Sequence, residues 1–336
     1  MNGEMIRKSQ PTPGDVHVNT PLTNISIAYM QDQSGFIADR VFPNIPVGKQ
    51  SDLFYQYDRG FFNRDEMKKR APNTESAGGG YELDTGNYFA DVWAFHHDIP
   101  DQRRGNSDTP LAPDREATNL VSQKAMIRRE KLFVTNFFTA STWTQDFTGV
   151  SSGPTGDQFL QWNDAASTPI EDIRAGMTRM LERTGIMPNK LVLGYQVHTA
   201  LLDHPDIIDR IKYGQTSGVA RERAANAALA EILELGEVLV SRAIENTAAE
   251  GATNSHSFIA GKQALLTHAA SSPGLMTPTG GYTFSWNGYL GAGNAGQRIK
   301  RFRMEALASD RVEIEMAFDQ KLVAADLGSF FATAVA

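Results

Sequence analysis

Apolar residues between positions 114 and 140 recur at the spacing of a long helix. Pro113 and Asp114 precede the pattern and Glu116 lies in the first turn, so we predict a helix over 114–140 with Asp114 as its N-cap. At about 1.5 Å per residue this helix spans about 40 Å, which suits a broad, thin domain better than a compact bundle. One predicted apolar stripe comprises Ala117, Leu120, Ile127, Val134 and Phe138, with Lys124 and Lys131 inside it. A second predicted apolar face comprises Met126, Phe133 and Phe137.

Further along the chain, helical and strand patterns follow one another without a repeating unit. The segment TPIEDIRAGMTRMLERTG predicts a helix that starts after Thr168, its expected cap, and ends at Gly185. The runs MPNKLVLG and EVLVSRAI predict strands, and residues 311–318 alternate as a half-buried strand does. No period of about 20 to 50 residues recurs, so the mixture predicts an α+β fold rather than a solenoid.

Residues 1–48 are polar and rich in proline, which predicts an extended arm that crosses a surface. Several large apolar side chains lie near its end and favour burial, so we expect the arm to pack rather than fray. These residues are Phe36, Ile37, Val41, Phe42 and Ile45.

Residues 49–101 predict a long two-stranded hairpin. The outgoing limb is aromatic and then strongly charged, the tip contains the run Gly78 to Gly80, and the return limb NYFADVWAFHHDIP alternates like a strand. Two strands alone are marginally stable in water. We therefore expect the hairpin to lie on a neighbour, for which another subunit is a candidate.

Composition and charge narrow the classes of function. The 336 residues predict about two domains, or one with a large insertion. The chain has no cysteine, which excludes disulfides, thiolate nucleophiles and cysteine-ligated zinc. Its net charge of −7 argues against nucleic-acid binding by bulk charge. No apolar stretch approaches about 18 residues and the first residues lack an apolar core, so neither a membrane span nor a signal peptide is expected.

Two short motifs resemble functional sites but have simpler explanations. Residues 291–296 match G-x-G-x-x-G, yet the next segment alternates like a strand, whereas a dinucleotide site requires a helix there. In His96-His97-Asp98, neighbouring residues on a strand point to opposite faces, which leaves too few ligands for zinc. We therefore expect no cofactor and no metal, and we expect that the chain is not an enzyme.

A tight basic cluster lies near the C-terminal end of the chain, at Arg298, Lys300, Arg301 and Arg303. Two interpretations remain. The cluster forms ion pairs with acidic neighbours, or it contacts a neighbouring subunit or the phosphates of DNA.

The order of these segments resembles that of the tailed-bacteriophage major capsid proteins of the Hong Kong 97-type fold. The most telling passage is TPIEDIRAGMTRMLERTGIMPNKLVLGYQVHTALLDHPDIIDRIKYG, which is similar to the entry into the A-domain of such shell proteins. The resemblance covers nearly the whole chain and implies five segments. They are an N-terminal arm at 1–48, an E-loop at 49–101, a P-domain at 102–188 with the spine helix at 114–140, an A-domain at 189–305, and a P-domain return strand with a C-terminal tail at 306–336.

By this resemblance the function is structural. Many copies would assemble as hexamers and pentamers into the icosahedral head that encloses double-stranded phage DNA. The protein would then be found in the virion capsid, after assembly in the host bacterial cytoplasm. Besides the chain itself, the implied partners are a portal, a decoration protein and DNA bound without sequence specificity. The arm follows the first methionine directly, so we also expect a separate scaffolding protein rather than a long fused scaffolding segment.

Within this interpretation the hairpin supplies the contact between subunits, because aromatic residues anchor interfaces and charges set their register. The predicted contact residues are Phe54, Tyr55, Tyr57, Phe61, Phe62, Arg64, Lys68, Lys69 and Arg70. Two alternatives stay open: an encapsulin-type nanocompartment shell that holds cargo enzymes, and an enzyme of an unrecognised α+β fold.

Overall fold

The computed structural model describes residues 30–107, 111–212, 221–291 and 296–336, so the predictions made for residues 1–29 lie outside the described part. The strands in the described part are β1 (Asn44–Val47), β2 (Ser51–Tyr57), β3 (Leu83–Phe89), β4 (Asp91–Pro100), β5 (Gln145–Val150), β6 (Gln158–Leu160), β7 (Lys190–Gly194), β8 (Glu237–Ser241), β9 (Ile244–Asn246), β10 (His256–Phe258), β11 (Ala264–Thr267), β12 (Gly281–Trp286), β13 (Gln297–Met304), β14 (Ser309–Leu322) and β15 (Gly328–Ala332).

Helices occur between these strands, and the mixture confirms the predicted α+β class. They are α1 (Ala38–Val41), α2 (Arg59–Phe62), α3 (Asp101–Gly105), α4 (Pro113–Phe137), α5 (Pro169–Thr184), α6 (Tyr195–Leu202), α7 (Pro205–Lys212), α8 (Arg221–Ile232) and α9 (Asn287–Leu290).

The long predicted helix is α4, with corrected ends. It stops before residue 140, because the backbone of Phe138 turns out of the helical conformation while its N–H still bonds to the carbonyl of Val134. Ala112 occupies the N-cap position, so Asp114 lies in the first turn and pairs with Arg104 instead.

The second predicted helix is α5, and one of its two end signals behaves as expected. Thr168 precedes it but makes no side-chain capping bond, which corrects its predicted role. Gly185 ends the helix with a φ of 73°, a left-handed conformation that glycine adopts without strain.

A five-stranded sheet is organised around the long strand β14. One edge of β14 pairs with β4, and the other edge pairs first with β13 and then with β12, all antiparallel. β1 extends the sheet by pairing parallel to β12. Because β14 alternates as predicted, Val312, Ile314 and Met316 are buried on the face that α4 covers.

The buried stripe of α4 differs from the predicted one. Ala117, Val121 and Ala125 pack against the sheet, whereas the predicted Leu120 is 39% exposed. Small residues spaced by four bring the helix axis close to the strands, and the same row continues into Arg129 and then Phe133. The predicted apolar faces are therefore right at Ala117, Phe133 and Phe138 and wrong at Leu120.

A six-stranded sheet in the order β6-β5-β15-β11-β7-β8 forms the second layer. β15 lies between β5, to which it is parallel, and β11, to which it is antiparallel. α5 packs on this sheet, and the core between them is aromatic: the rings of Phe147 and Phe331 stack 4.9 Å apart, and Trp162 lies 5.4 Å from Phe331.

Sheet membership crosses the boundaries of the predicted segments at several places. β5, β6 and α5 fall within 102–188, the predicted P-domain, but pack in the six-stranded layer. β12 and β13 fall within 189–305, the predicted A-domain, but join β14. β15 falls within 306–336 but lies in the six-stranded sheet. The chain crosses between the layers repeatedly, and no local pattern in the sequence records such distant pairings.

The end of the arm packs on the body of its own chain. Ile37, Val41 and Phe42 are buried as predicted, in a cluster that includes Phe133 and Phe137 of α4. Residues 44–47 then enter the five-stranded sheet as β1.

Candidate subunit-contact surfaces

The predicted hairpin consists of β2 and β3, and its return limb divides at Ala90. β2 pairs antiparallel with β3 from Ser51–Phe89 to Tyr57–Leu83. Ala90 is fully buried and donates its N–H to the carbonyl of Gln50, after which β4 leaves the hairpin and joins β14. The single return strand expected from the sequence is therefore two strands in different sheets.

One face of the hairpin is anchored to the body by stacked rings. The ring of Phe284 on β12 lies 4.5 Å from Tyr88 and 5.6 Å from Phe54, centroid to centroid. Phe54 also crosses Gly86 on the opposite strand so closely that a Cβ at position 86 would lie 2.3 Å from its ring. Glycine is therefore required at this crossing.

Polar contacts reinforce the same attachment. Gln56 donates its side-chain N–H to the carbonyl of Val323 at 2.9 Å, and Arg59 pairs with Asp326 at 2.6 Å. The N–H of Phe89 donates to Asp319 at 3.1 Å. The hairpin root is thus fixed in direction by its own chain.

The opposite face of the hairpin carries unburied apolar side chains. Leu53, Tyr55, Leu83 and Phe89 alternate onto this outer face and are each between 51% and 66% exposed. Large exposed apolar residues that lie together mark interaction sites more often than single ones do. Of these four, only Tyr55 is among the contact residues predicted from the sequence, because the others depend on the register of two strands that are far apart in sequence.

The remaining predicted contact residues lie at the outer end of the hairpin. Phe62 of α2 lies 5.8 Å from Tyr81 and 6.0 Å from Tyr57, which forms an aromatic cluster that includes one residue the sequence did not single out. Arg64 lies over the ring of Phe61. Residues 62–85 are exposed throughout, including the predicted Lys68, Lys69 and Arg70.

One substitution tests the attachment of the hairpin root. Gly86→Val should push Phe54 off Phe284 and destabilise the subunit by about 1–3 kcal/mol, the usual cost of overpacking. Hydrogen exchange on the unassembled subunit should show faster exchange in β2 and β3. Gly78→Val is the matched control, because a Cβ at that position meets nothing within 4 Å. Equal exchange in the two variants would show that the crossing does not hold the hairpin.

The four basic residues of β13 form ion pairs with acidic side chains of the same chain. On the face away from α4, Arg298 and Lys300 both reach Glu315 at 2.7 Å. Although burial raises the pKa of Glu315, the hydrogen bonds from Lys300, Arg298 and Tyr289 outweigh it and lower that pKa.

The other two basic residues of the cluster, on the α4 side, also have acidic partners. Arg301 reaches Asp310 at 2.9 Å, and Arg303 makes two hydrogen bonds of 2.6 Å to Asp101. Hydrogen bonds from Arg301 and Arg104 lower the pKa of Asp310 to about 2. In this chain the basic cluster therefore forms ion pairs with acidic neighbours. Little positive charge of the cluster remains to bind a polyanion.

A buried carboxylate connects the arm to both layers. Glu130 on α4 is fully buried; its Oε2 accepts the N–H groups of Ile37 at 3.0 Å and Ala38 at 2.9 Å, and its Oε1 accepts the hydroxyl of Ser241 at 2.7 Å. Burial raises the pKa of Glu130, and these three hydrogen bonds partly offset the effect. One side chain thus joins the arm, α4 and the end of β8.

The neighbouring Arg129 forms a second link to the arm. Its guanidinium pairs with Asp39 at 3.0 Å and lies over the ring of Phe318 at 4.7 Å. Burial lowers the pKa of Arg129, and the charge of Asp39 opposes that shift.

The motifs that could have indicated chemistry have structural roles. His96 and His97 point to opposite faces of β4, and Asp98 makes a bidentate pair with Arg311 at 2.7 and 2.8 Å. The glycine motif at 291–296 lies partly outside the described residues and leads into strand β13 rather than a helix. In the described ranges, no group of three or more His, Asp or Glu side chains is placed to bind a metal ion.

A buried serine–histidine contact is also structural. The hydroxyl of Ser167 lies 3.1 Å from Nε2 of His204, and it donates to the carbonyl of Asp164. Nδ1 of His204 accepts the N–H of Asp206, and its Nε2 also lies 3.2 Å from the carbonyl of Asp164. These contacts join the start of α7 to the loop before α5.

The described helices include none that is both long enough and apolar enough to cross a bilayer.

Comparisons with known proteins agree with this geometry. The sequence model of the family described as "Phage major capsid protein E" matches residues 142–280. The major capsid protein of Pseudomonas phage JBD67 is 28% identical over 324 residues, which are 95% of this chain and 97% of that protein. Among solved structures, the capsid of Cyanophage P-SCSP1u superposes with a TM-score of 0.58 at 11% identity and covers 98% of this chain and 96% of its own.

The same fold also occurs in a shell of a different kind. The holo-SrpI encapsulin complex of Synechococcus elongatus PCC 7942 superposes with a TM-score of 0.54 at 11% identity, over 94% of this chain and 95% of its own. The fold alone therefore does not separate a virion shell from an encapsulin, whereas the family match and the sequence relative do.

The fold is that of the Hong Kong 97-type shell proteins. Within that class the chain is a phage major capsid protein, a structural component of the virion capsid that builds the capsid shell together with copies of itself.

Proposed function

We propose that the hairpin of each subunit reaches a neighbouring copy, and that the copies form hexamers and pentamers of an icosahedral head around double-stranded phage DNA. The observation that carries this proposal is the asymmetry of the hairpin. Its inner face is fixed to the body by Phe54 and Tyr88, while its outer face and tip are exposed. A rigidly rooted element with an unburied apolar face is suited to a partner subunit.

The two layers suggest a revised domain assignment. We assign the five-stranded sheet with α4 to the P-domain and the six-stranded sheet with α5 to the A-domain. The E-loop is then residues 51–89, and the arm is the segment before β1 that Glu130 attaches to α4.

Further partners follow from the proposed head. They are a separate scaffolding protein and a portal during assembly in the host cytoplasm, a decoration protein on the finished shell, and DNA enclosed without sequence-specific binding. Support for loose enclosure of DNA comes from the net charge of −7 and from the ion-paired cluster on β13. A shell that gripped DNA tightly would need uncompensated Lys and Arg on its inner surface.

Electron microscopy of the expressed protein, followed by analysis of the particle contents, tests the proposal. We expect closed particles of megadalton size with pentameric and hexameric units, and DNA inside particles from infected cells. An enzyme cargo in place of DNA would indicate an encapsulin, and a small oligomer alone would contradict the proposal.

The hairpin should also gain protection when the shell forms. Amide hydrogen exchange of residues 58–82 should be fast in dissociated subunits and at least about tenfold slower in particles, because exposed backbone exchanges through openings that cost little free energy. The buried strands β7 and β11 serve as the internal control, since the subunit fold protects them in both states. Equal exchange of the hairpin in the two states would show that it does not contact a neighbour.

A further inference from the structure

An arginine-lined cleft lies where the hairpin meets the body. It has a volume of about 340 Å³ and is lined by Arg59, Gly60, Asn63 and Arg64 from the hairpin and by Arg183 from the last turn of α5. The cleft is thus built from two elements that are far apart in sequence and that Asp326 connects, through Arg59 at 2.6 Å and Arg183 at 3.9 Å.

The cleft is positively charged in an acidic chain. Three guanidinium groups line it, and Asp326 is the carboxylate that two of them share. The ion-pair partner of Arg64 is Glu66, 3.6 Å away on the exposed tip, where both side chains are at least 40% exposed. Exposed pairs of this kind are weak, so Arg64 remains available to another anion.

The surroundings favour a carboxylate on a protein over a phosphate on DNA. The aromatic cluster of Tyr57, Phe62 and Tyr81 borders the same helix α2, and aromatic residues beside arginine are typical of protein interfaces. Asp326 pairs with two of the three arginines and Glu66 with the third, so the cleft has charge left for a single carboxylate rather than for an extended polyanion. A carboxylate also binds bidentately to arginine.

We propose that this cleft binds an Asp or Glu side chain from a second copy of the chain. The inference rests on the proposed contact of the hairpin with a neighbouring subunit. Self-assembly brings copies of an acidic chain together, and the positive cleft gives one of their carboxylates a defined partner.

Charge reversal in the cleft provides the first test. Arg64→Glu combined with Arg183→Gln should raise the protein concentration needed for half-maximal assembly by at least about tenfold, because interface charge pairs contribute this much or more. Lys124→Glu combined with Lys262→Gln is the control, because it makes the same change of charge at two exposed positions outside both the hairpin and the cleft. An equal effect of the two double variants would overturn the proposal.

Zero-length cross-linking provides the second test. Arg64→Lys keeps the charge and introduces an amine, which carbodiimide couples to a carboxylate in contact with it. Particles assembled from equal parts of ¹⁴N- and ¹⁵N-labelled subunits should give isotopically mixed cross-links from position 64 to an Asp or Glu. Cross-links confined to Glu66 or Asp326 of the same chain would overturn the proposal.

Two further outcomes distinguish a bound carboxylate from a bound phosphate, and the role of the cleft from the contact of the hairpin with a neighbouring subunit. If the charge-reversed particles assembled normally but held less DNA, the cleft would bind phosphate, and the proposal would be wrong. If the charge-reversed subunits assembled like the control while the hairpin still gained protection on assembly, the hairpin contact would stand and only the role of the cleft would be refuted.

Discussion

Replacing Phe61 and Phe62 by serine should abolish closed particles while leaving a soluble subunit with native circular dichroism. Phe62 is 51% exposed, so its loss costs the isolated subunit little, but it is the centre of the aromatic cluster with Tyr57 and Tyr81 at the outer end of the hairpin. Buried aromatic anchors carry several kcal/mol each at interfaces, and a shell repeats the loss at every contact. Electron microscopy and sedimentation would measure the yield of particles.

The control for this experiment removes the same kind of surface elsewhere. Leu275 and Met276 are 87% and 64% exposed in the loop between β11 and β12, so Leu275→Ser with Met276→Ser deletes exposed apolar area outside the hairpin. We expect this variant to assemble. Normal shells from the Phe61 and Phe62 variant would refute the contact that we assign to the hairpin.

Glu130→Ala should be among the most destabilising single substitutions in the subunit. It leaves the N–H groups of Ile37 and Ala38 and the hydroxyl of Ser241 buried without their acceptor. Unsatisfied buried donors cost about 1–3 kcal/mol each before relaxation, so we expect a loss of about 3–5 kcal/mol in the free energy of unfolding. Urea unfolding of unassembled subunits would measure it.

Glu130→Gln separates the hydrogen bonds from the charge. The amide oxygen accepts the two backbone N–H groups and its NH₂ donates to Ser241, so the loss should be much smaller than for alanine. A loss as large as that of the alanine variant would show that the charge itself stabilises the site.

The free energy of unfolding should depend on pH differently in the wild type and in the Glu130→Gln variant. Burial raises the pKa of Glu130 in the folded state above its unfolded value, so the folded state binds a proton more tightly. As pH falls from neutral through that raised pKa towards the unfolded value, the wild type should therefore gain stability relative to the glutamine variant. A constant difference between the two would show that the carboxylate does not titrate within this range.

Local periodicity in the sequence predicted the elements well, together with the buried face of β14, but only part of the buried face of α4. The spacing of apolar residues located α4 and the hairpin, and the preference of Ile37, Val41 and Phe42 for burial located the packed end of the arm. It did not identify Glu130 as buried, because the groups that satisfy the carboxylate lie at Ile37, Ala38 and Ser241, far away in sequence. A charged residue in an apolar row reads as an interruption of that row unless its hydrogen-bond partners are known.

The exposed surface of the hairpin that we propose as a subunit contact was visible in the sequence only in part, for the same reason. Phe61 and Phe62 are adjacent aromatics and visible at once, whereas Leu53 and Leu83 share a face only because β2 and β3 pair in one register. Likewise, the cleft depends on Arg183, which no pattern around the hairpin could indicate. Pairing between distant segments is set by tertiary structure, so residues that depend on it were missed.

The position of β15 makes synthesis of the chain through that strand a condition for shell formation. β15 fills the gap between β5 and β11, so the sheet that holds the aromatic core of the subunit is split until residues 328–332 have been synthesised and have left the ribosome. A nascent or prematurely terminated chain would carry the hairpin but lack the middle of that sheet. Incomplete chains would thus be unable to occupy a lattice position, and the lattice would admit only subunits synthesised through that strand.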